Sequence, residues 1–160
     1  MPINTKQLIE LIIQPTLKEF DLYSPSAEQL LAATCAQESL MGTYLSQVNG
    51  PALGIFMMEP ATHDDICLNF LKRKVGWPDS NMAINLYPFD CERLPTDFKY
   101  ATAMCRIHYL RVKEPLPAFN DIDGIWKYYK QYYNTPGGAA TQTQFLLNYL
   151  KYVKPYYEEK

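Results

Sequence analysis

The run from Ser24 to Gly42 constrains this chain more than any other stretch. Ser24-Pro25-Ser26 is a helix start, and Ser26 with Gln29 has the S-x-x-Q spacing of a capping box. Leu30, Leu31, Thr34, Cys35 and Glu38 then recur at helical spacing, and Gly42 closes the run. The apolar side of such a helix has to be buried against other elements. Glu38 falls in the last turn, on or beside that side. A carboxylate there opposes the negative end of the helix macrodipole, and burial disfavours its charged form. Two readings fit. Glu38 pairs with a Lys or Arg at the surface, or it is a proton donor whose pKa an apolar surrounding lifts toward working pH.

The rest of the chain carries the same 3.6-residue period. Thr5 to Phe20 places Leu8, Ile9, Ile12 and Ile13 on one side, with a kink or break expected at Pro15. Thr62 and Asp65 have capping-box spacing ahead of a helix through Ile66, Phe70, Leu71 and Val75 to Gly76. Trp77-Pro78 restarts the chain, and Met82 to Leu86 reads as a short helical turn. Thr96-Asp97 caps a strong helix to Val112, with Ala101, Met104, Cys105, His108 and Tyr109 inward. A helix starting at Asp121 or Asp123 carries Ile125, Trp126, Tyr128, Tyr129, Tyr132 and Tyr133, and ends at Asn134-Thr135-Pro136-Gly137-Gly138. Thr141 with Gln144 caps a final helix. No stretch alternates convincingly, so a mainly α fold is expected, with at most a small β-hairpin between Met41 and Leu53. At 160 residues the chain fits a single domain, 1–160.

Charge excludes several functions. The 15 Lys and Arg against 17 Asp and Glu leave a formal net charge of -2 with no basic run, which argues against nucleic-acid partners. The start lacks a basic region followed by an apolar run, so no signal peptide is read. The apolar run Leu8 to Ile13 is interrupted by Glu10 and followed by Pro15, far short of a membrane span. Cys35, Cys67, Cys91 and Cys105 have no CxxC spacing and no His partner pattern, so neither a metal site nor a cofactor is read; free thiols are expected. The 13 Tyr offer flat apolar faces with polar tips, suited to sugar contacts as well as to packing.

The segment after Glu38 is rich in turn residues and apolar. Gly54 permits close backbone approach, either to a ligand or to Glu38. Asp64 and Asp65 read as first-turn acids, and His63 as a surface or capping group.

Glu38-Ser39, then Gly54-Ile55-Phe56-Met57-Met58-Glu59-Pro60-Ala61-Thr62, and later Tyr132-Tyr133-Asn134-Thr135, together resemble the lytic transglycosylase and goose-type lysozyme superfamily. The pattern there is Glu-Ser, a variable turn, Gly-Leu-Met-Gln-x-x-Pro-x-Thr, and a Tyr-Asn motif. The likeness covers roughly residues 26 to 150 and is greatest to soluble single-domain members found in phage genomes. It implies a lysozyme-like helical fold and a peptidoglycan-cleaving enzyme acting on the β-1,4 bond between N-acetylmuramic acid and N-acetylglucosamine. Glu38 would be the single acid/base, and Tyr133 would orient it through its hydroxyl. Residues 41–53 would form one wall of a sugar cleft, with Ser46 matching a serine near the acid and Asn134 lining the cleft. Met57 stands where the family has a sugar-contacting Gln, and Glu59 could supply a polar group nearby. The resemblance further implies peptidoglycan glycan strands as partner, a monomer, and a phage lysis or entry enzyme. Such an enzyme would stay in the host cytoplasm until release, or travel as a virion component. A hydrolytic lysozyme with a second carboxylate, drawn from Glu59, Asp64, Asp65 or Asp90, and an inactive wall-binding or virion domain are the alternatives.

Overall fold

Ser24 takes extended backbone angles and its side chain accepts the Ala27 N–H at 3.0 Å, so the helix it caps begins at Pro25. The cap thus lies two residues before the capping box expected at Ser26. Pro25 fits the first helical position, where no N–H is needed. The computed structural model describes residues 1–73 and 81–160. These residues are mainly helical. The expected course of the third helix through Val75 to Gly76, and the restart at Trp77-Pro78, lie outside them.

Seven helices are present among the described residues: α1 (5–19), α2 (Pro25–Ser39), α3 (60–71), α4 (Asn81–Leu86), α5 (Phe98–Leu110), α6 (122–134) and α7 (142–158). A short 3-10 turn, Cys91–Arg93, precedes α5. Helix α2 is buried almost all round, from Ala27 to Ala36, and touches α1, α5, α6 and α7. Such a helix forms the middle of a core rather than a lid over it. Leu30 and Leu31 are fully buried, each worth about 2 kcal/mol relative to exposure. Its polar groups are satisfied: the Thr34 hydroxyl donates to the Leu30 carbonyl at 2.7 Å and shares a 2.8 Å hydrogen bond with the Tyr109 hydroxyl.

Pro15 does not break α1. Ahead of it the helix widens, so that the Gln14 N–H reaches the Ile9 carbonyl five residues back. Widening relieves the contact between the proline ring and the preceding turn. Helix α7 does the same ahead of Pro155, with the Lys154 N–H on the Tyr149 carbonyl. Helix α3 starts at Pro60 rather than at a Thr62 cap. Its flanking residue is Glu59, which makes no side-chain cap, and Thr62 sits inside the helix. Asp97, Asp121 and Thr141 cap α5, α6 and α7 by accepting backbone N–H bonds from Tyr100, Gly124 and Gln144.

In place of a hairpin, the segment after α2 makes two isolated antiparallel bridges, Ser46 with Leu53 and Leu53 with Met58. No helix among the described residues is long and apolar enough to cross a membrane.

Candidate active site

The chain leaves α2 through three successive left-handed residues: Leu40 (φ 51°), Met41 (φ 55°) and Gly42 (φ 73°). Leu40 and Met41 are not glycine, so each costs about 1–2 kcal/mol. Neighbours hold the turn in place. The buried Ser39 hydroxyl donates to the Cys35 carbonyl at 3.1 Å and accepts the Gly42 N–H at 2.8 Å. The Met41 carbonyl accepts the Ile3 N–H at 2.8 Å. This turn sends residues 44–59 back past the end of α2, where Glu38 lies.

Glu38 opens into a cleft of about 590 Å³. Lining comes from residues 44–59, from Thr62 on α3, from His108 on α5, and from the end of α6 with the loop after it. Burial lifts the Glu38 carboxyl to about 7, and a hydrogen bond from Tyr129 opposes part of that rise. The Tyr129 hydroxyl donates to Glu38 Oε1 at 2.6 Å. Burial and the neighbouring Glu38 raise the Tyr129 phenol well above its ordinary range, so it stays a donor. No basic side chain pairs with Glu38 in an ion pair among the described residues.

Ser46, Met57, Glu59, Tyr133 and Asn134 all line this cleft with Glu38. Gly54 does not. It is buried at φ 79°, and a Cβ there would stand 2.5 Å from the Leu94 carbonyl oxygen. The close approach foreseen at this glycine is therefore to the chain just before α5, not to a ligand or to Glu38. Tyr133 also differs from expectation. Its hydroxyl donates to the Phe56 carbonyl at 2.5 Å, tying α6 to the 44–59 wall, and the acid receives Tyr129 instead. The two rings stack 6.1 Å apart at 22°. Met57 sits at φ 46° and Asn49 at φ 58°, two left-handed residues other than glycine on the same wall.

His63, expected at a surface or cap, is buried, with Nε2 2.6 Å from the Tyr100 hydroxyl and Nδ1 2.9 Å from Asp64. Asp65 meets Arg111 at 2.7 Å, and Asp90 caps the 3-10 turn through the Glu92 N–H. Of the four acids considered as a second carboxylate, Glu59 alone lines the cleft among the described residues.

Sequence reasoning missed Tyr129 and His108. Tyr129 lies four residues before Tyr133, so the i,i+4 rule places both on one helix face. His108 Nε2 is 3.1 Å from the Tyr132 carbonyl and Nδ1 is 2.8 Å from Arg111. The carbonyl only accepts and the guanidinium only donates, which fixes the ring as neutral with its proton on Nε2. Burial, then Arg111, lowers its pKa to about 4. With both nitrogens engaged, His108 packs edge-on against Tyr133, ring centres 4.9 Å apart, and is not a free base.

No group of three or more His, Cys, Asp or Glu able to hold a metal occurs among the described residues. No protein-family model, curated protein or solved structure matches the chain.

Proposed function

We propose that this protein is a glycoside-cleaving enzyme with a lysozyme-like fold that acts on peptidoglycan glycan strands, with Glu38 as its general acid. One observation carries the reading: a half-buried carboxyl that burial pushes up to about 7, held by Tyr129 and in no ion pair among the described residues, faces a cleft large enough for sugar rings. Tyr129 occupies Oε1, which leaves Oε2 to carry the proton toward a bridging glycosidic oxygen. Such general-acid help is worth roughly 10²–10⁴ in rate. Tyr44, Val48 and Met57 offer apolar surface on which a sugar face can pack.

Two outcomes follow departure of the leaving group. In the first, Glu38 takes a proton from the muramyl 6-hydroxyl and a 1,6-anhydro end forms. In the second, Glu59 on the cleft wall activates a water and a reducing end forms, as in a two-carboxylate hydrolase. The presence of Glu59 is the specific support for hydrolysis. Mass spectrometry of fragments released from purified peptidoglycan tests the whole reading. Anhydromuramyl ends support the first course and new reducing ends the second. No new ends would overturn the enzymatic reading and favour a wall-binding domain.

A further inference from the structure

We propose that Gln47 selects the substrate, by offering an oriented amide N–H to the carbonyl of an acetamido group on a bound sugar. The inference rests on the glycan reading of the cleft in the preceding section, and the experiment below separates the two.

Gln47 lines the cleft at the base of the wall's exposed tip. It grips Ala52 on both sides. The Gln47 backbone N–H donates to the Ala52 carbonyl at 2.8 Å, and the Ala52 N–H donates to Gln47 Oε1 at 3.2 Å. The second bond settles which way the side-chain amide faces. A backbone N–H can be met only by the amide oxygen, so Oε1 is turned into the loop and the NH₂ is the other end. No acceptor among the described residues holds that NH₂.

Gly50 makes this posture possible. The amide lies across it, and a Cβ at Gly50 would collide with Gln47 Cδ and Oε1. The chain reverses through the left-handed Asn49 (φ 58°) just before. An exposed glutamine ordinarily loses rotamer freedom when a ligand fixes it. Here the loop has already fixed it, so binding loses less entropy.

The surroundings name the group that is read. Val48, the next residue, is 69% exposed, Tyr44 is 46% exposed, and both line the cleft with Met57. Large apolar groups left open on a wall with a fixed donor match a substituent that carries a carbonyl and a methyl together. An acetamido group is such a substituent. A plain hydroxyl would engage the donor and leave the apolar surface uncovered. A carboxylate would accept too, but the exposed Glu59 carboxylate on the same wall repels it. The Tyr44, Ser46 and Thr62 hydroxyls on the cleft both give and take, so they do not tell a carbonyl from a hydroxyl. The NH₂ of Gln47 only gives.

The test is isothermal titration calorimetry in the Glu38→Gln protein, which does not consume ligand. The probes are a tetrasaccharide of alternating N-acetylglucosamine and N-acetylmuramic acid, and two analogues. In one the acetamido groups of the glucosamine units are replaced by hydroxyls, and in the other those of the muramic units. With Gln47 in place, at least one analogue is expected to bind about fivefold more weakly than the parent tetrasaccharide, and which one it is identifies the sugar that Gln47 reads. Gln47→Glu keeps an oxygen for the Ala52 N–H and turns the donor into an acceptor. It is expected to bind the parent about tenfold more weakly and to lose the discrimination between the glycans. Gly50→Ala is the second variant. Gly50 is not left-handed, so alanine fits its backbone, but the new Cβ pushes the Gln47 amide aside. It is expected to lose the discrimination as well. Equal affinity for all three glycans with Gln47 in place overturns the proposal and leaves the glycan cleft standing. A Gln47→Glu protein that binds weakly yet still discriminates also overturns it, since that marks a merely structural role. No binding of any of the three overturns the glycan reading itself, and the proposal with it.

Discussion

Tyr129 and Glu38 meet across 91 residues of chain through a 2.6 Å hydrogen bond, and Tyr129 is the phenol that donates to the acid. Tyr133, one turn later, turns its hydroxyl away to the Phe56 carbonyl. The two tyrosines therefore have separable jobs. Under the proposed function, Tyr129→Phe is expected to lower the rate of peptidoglycan cleavage about tenfold with substrate affinity little changed, since it removes a bond made to the proposed acid. Tyr133→Phe is expected to raise KM more than it lowers kcat, because it frees the 44–59 wall. Steady-state kinetics on soluble glycan fragments checks both, and equal effects on kcat would refute the division.

Glu38→Gln keeps shape and the acceptor for Tyr129 but has no proton to give. Cleavage is expected to fall at least about a hundredfold. In the wild type, activity is expected to decline as pH rises through about 7, where Glu38 loses its proton. Turbidity clearing of a cell-wall suspension across a pH series measures this. A variant that clears at the wild-type rate would end the assignment.

Stability should carry opposing pH trends from two groups on this cleft. The folded pKa of Glu38 is raised from 4.5 to about 7, so the folded state binds the extra proton and stability falls as pH rises across that window. The folded pKa of His108 is lowered from 6.5 to about 4, so the unfolded state binds the extra proton and stability rises across that window. Between about pH 4.5 and 6.5 the two partly cancel in the wild type. Glu38→Gln removes the first, so its melting temperature is expected to climb with pH there and to exceed wild type by several degrees at pH 8. Thermal melts at pH 5 and pH 8 decide it; parallel curves would mean that Glu38 is not buried enough to matter.

Gly54→Ala is expected to destabilise the fold by about 2 kcal/mol or more, from the left-handed backbone and the clash with the Leu94 carbonyl. Urea denaturation measures the change. A shift under about half a kcal/mol would contradict the packing described at this position.

The sequence made the helices legible where the signal is local. Asp97, Asp121 and Thr141 act within three residues of their partners; Asp97 and Thr141 cap as read, and of the two starts open for α6 the structure takes Asp121. Thr62 has the same local pattern, yet Pro60 starts α3 earlier, because a proline preset for the first turn outcompetes a hydroxyl cap. Pro15 reads as a kink or a break, and the burial of Leu8, Ile9, Ile13 and Leu17 keeps α1 running there through a widened turn. At the cleft, Glu38 stood out because an acid on an apolar helix face conflicts with its surroundings. The choice between Tyr129 and Tyr133 depends on how α6 is rotated against α2, which is a tertiary fact.

The left-handed run Leu40-Met41-Gly42 also tells an engineer where this molecule tolerates redesign. Three torsions there aim the whole 44–59 segment, and the Met41 side chain is locked in the interior. Adding or deleting a residue at that point would swing the wall relative to Glu38 and spoil the groove. The exposed tip from Gln47 to Pro51 is constrained too, since Asn49 is left-handed at φ 58° and the Gln47 N–H is held by the Ala52 carbonyl at 2.8 Å, so a grafted specificity loop there has to keep that closure.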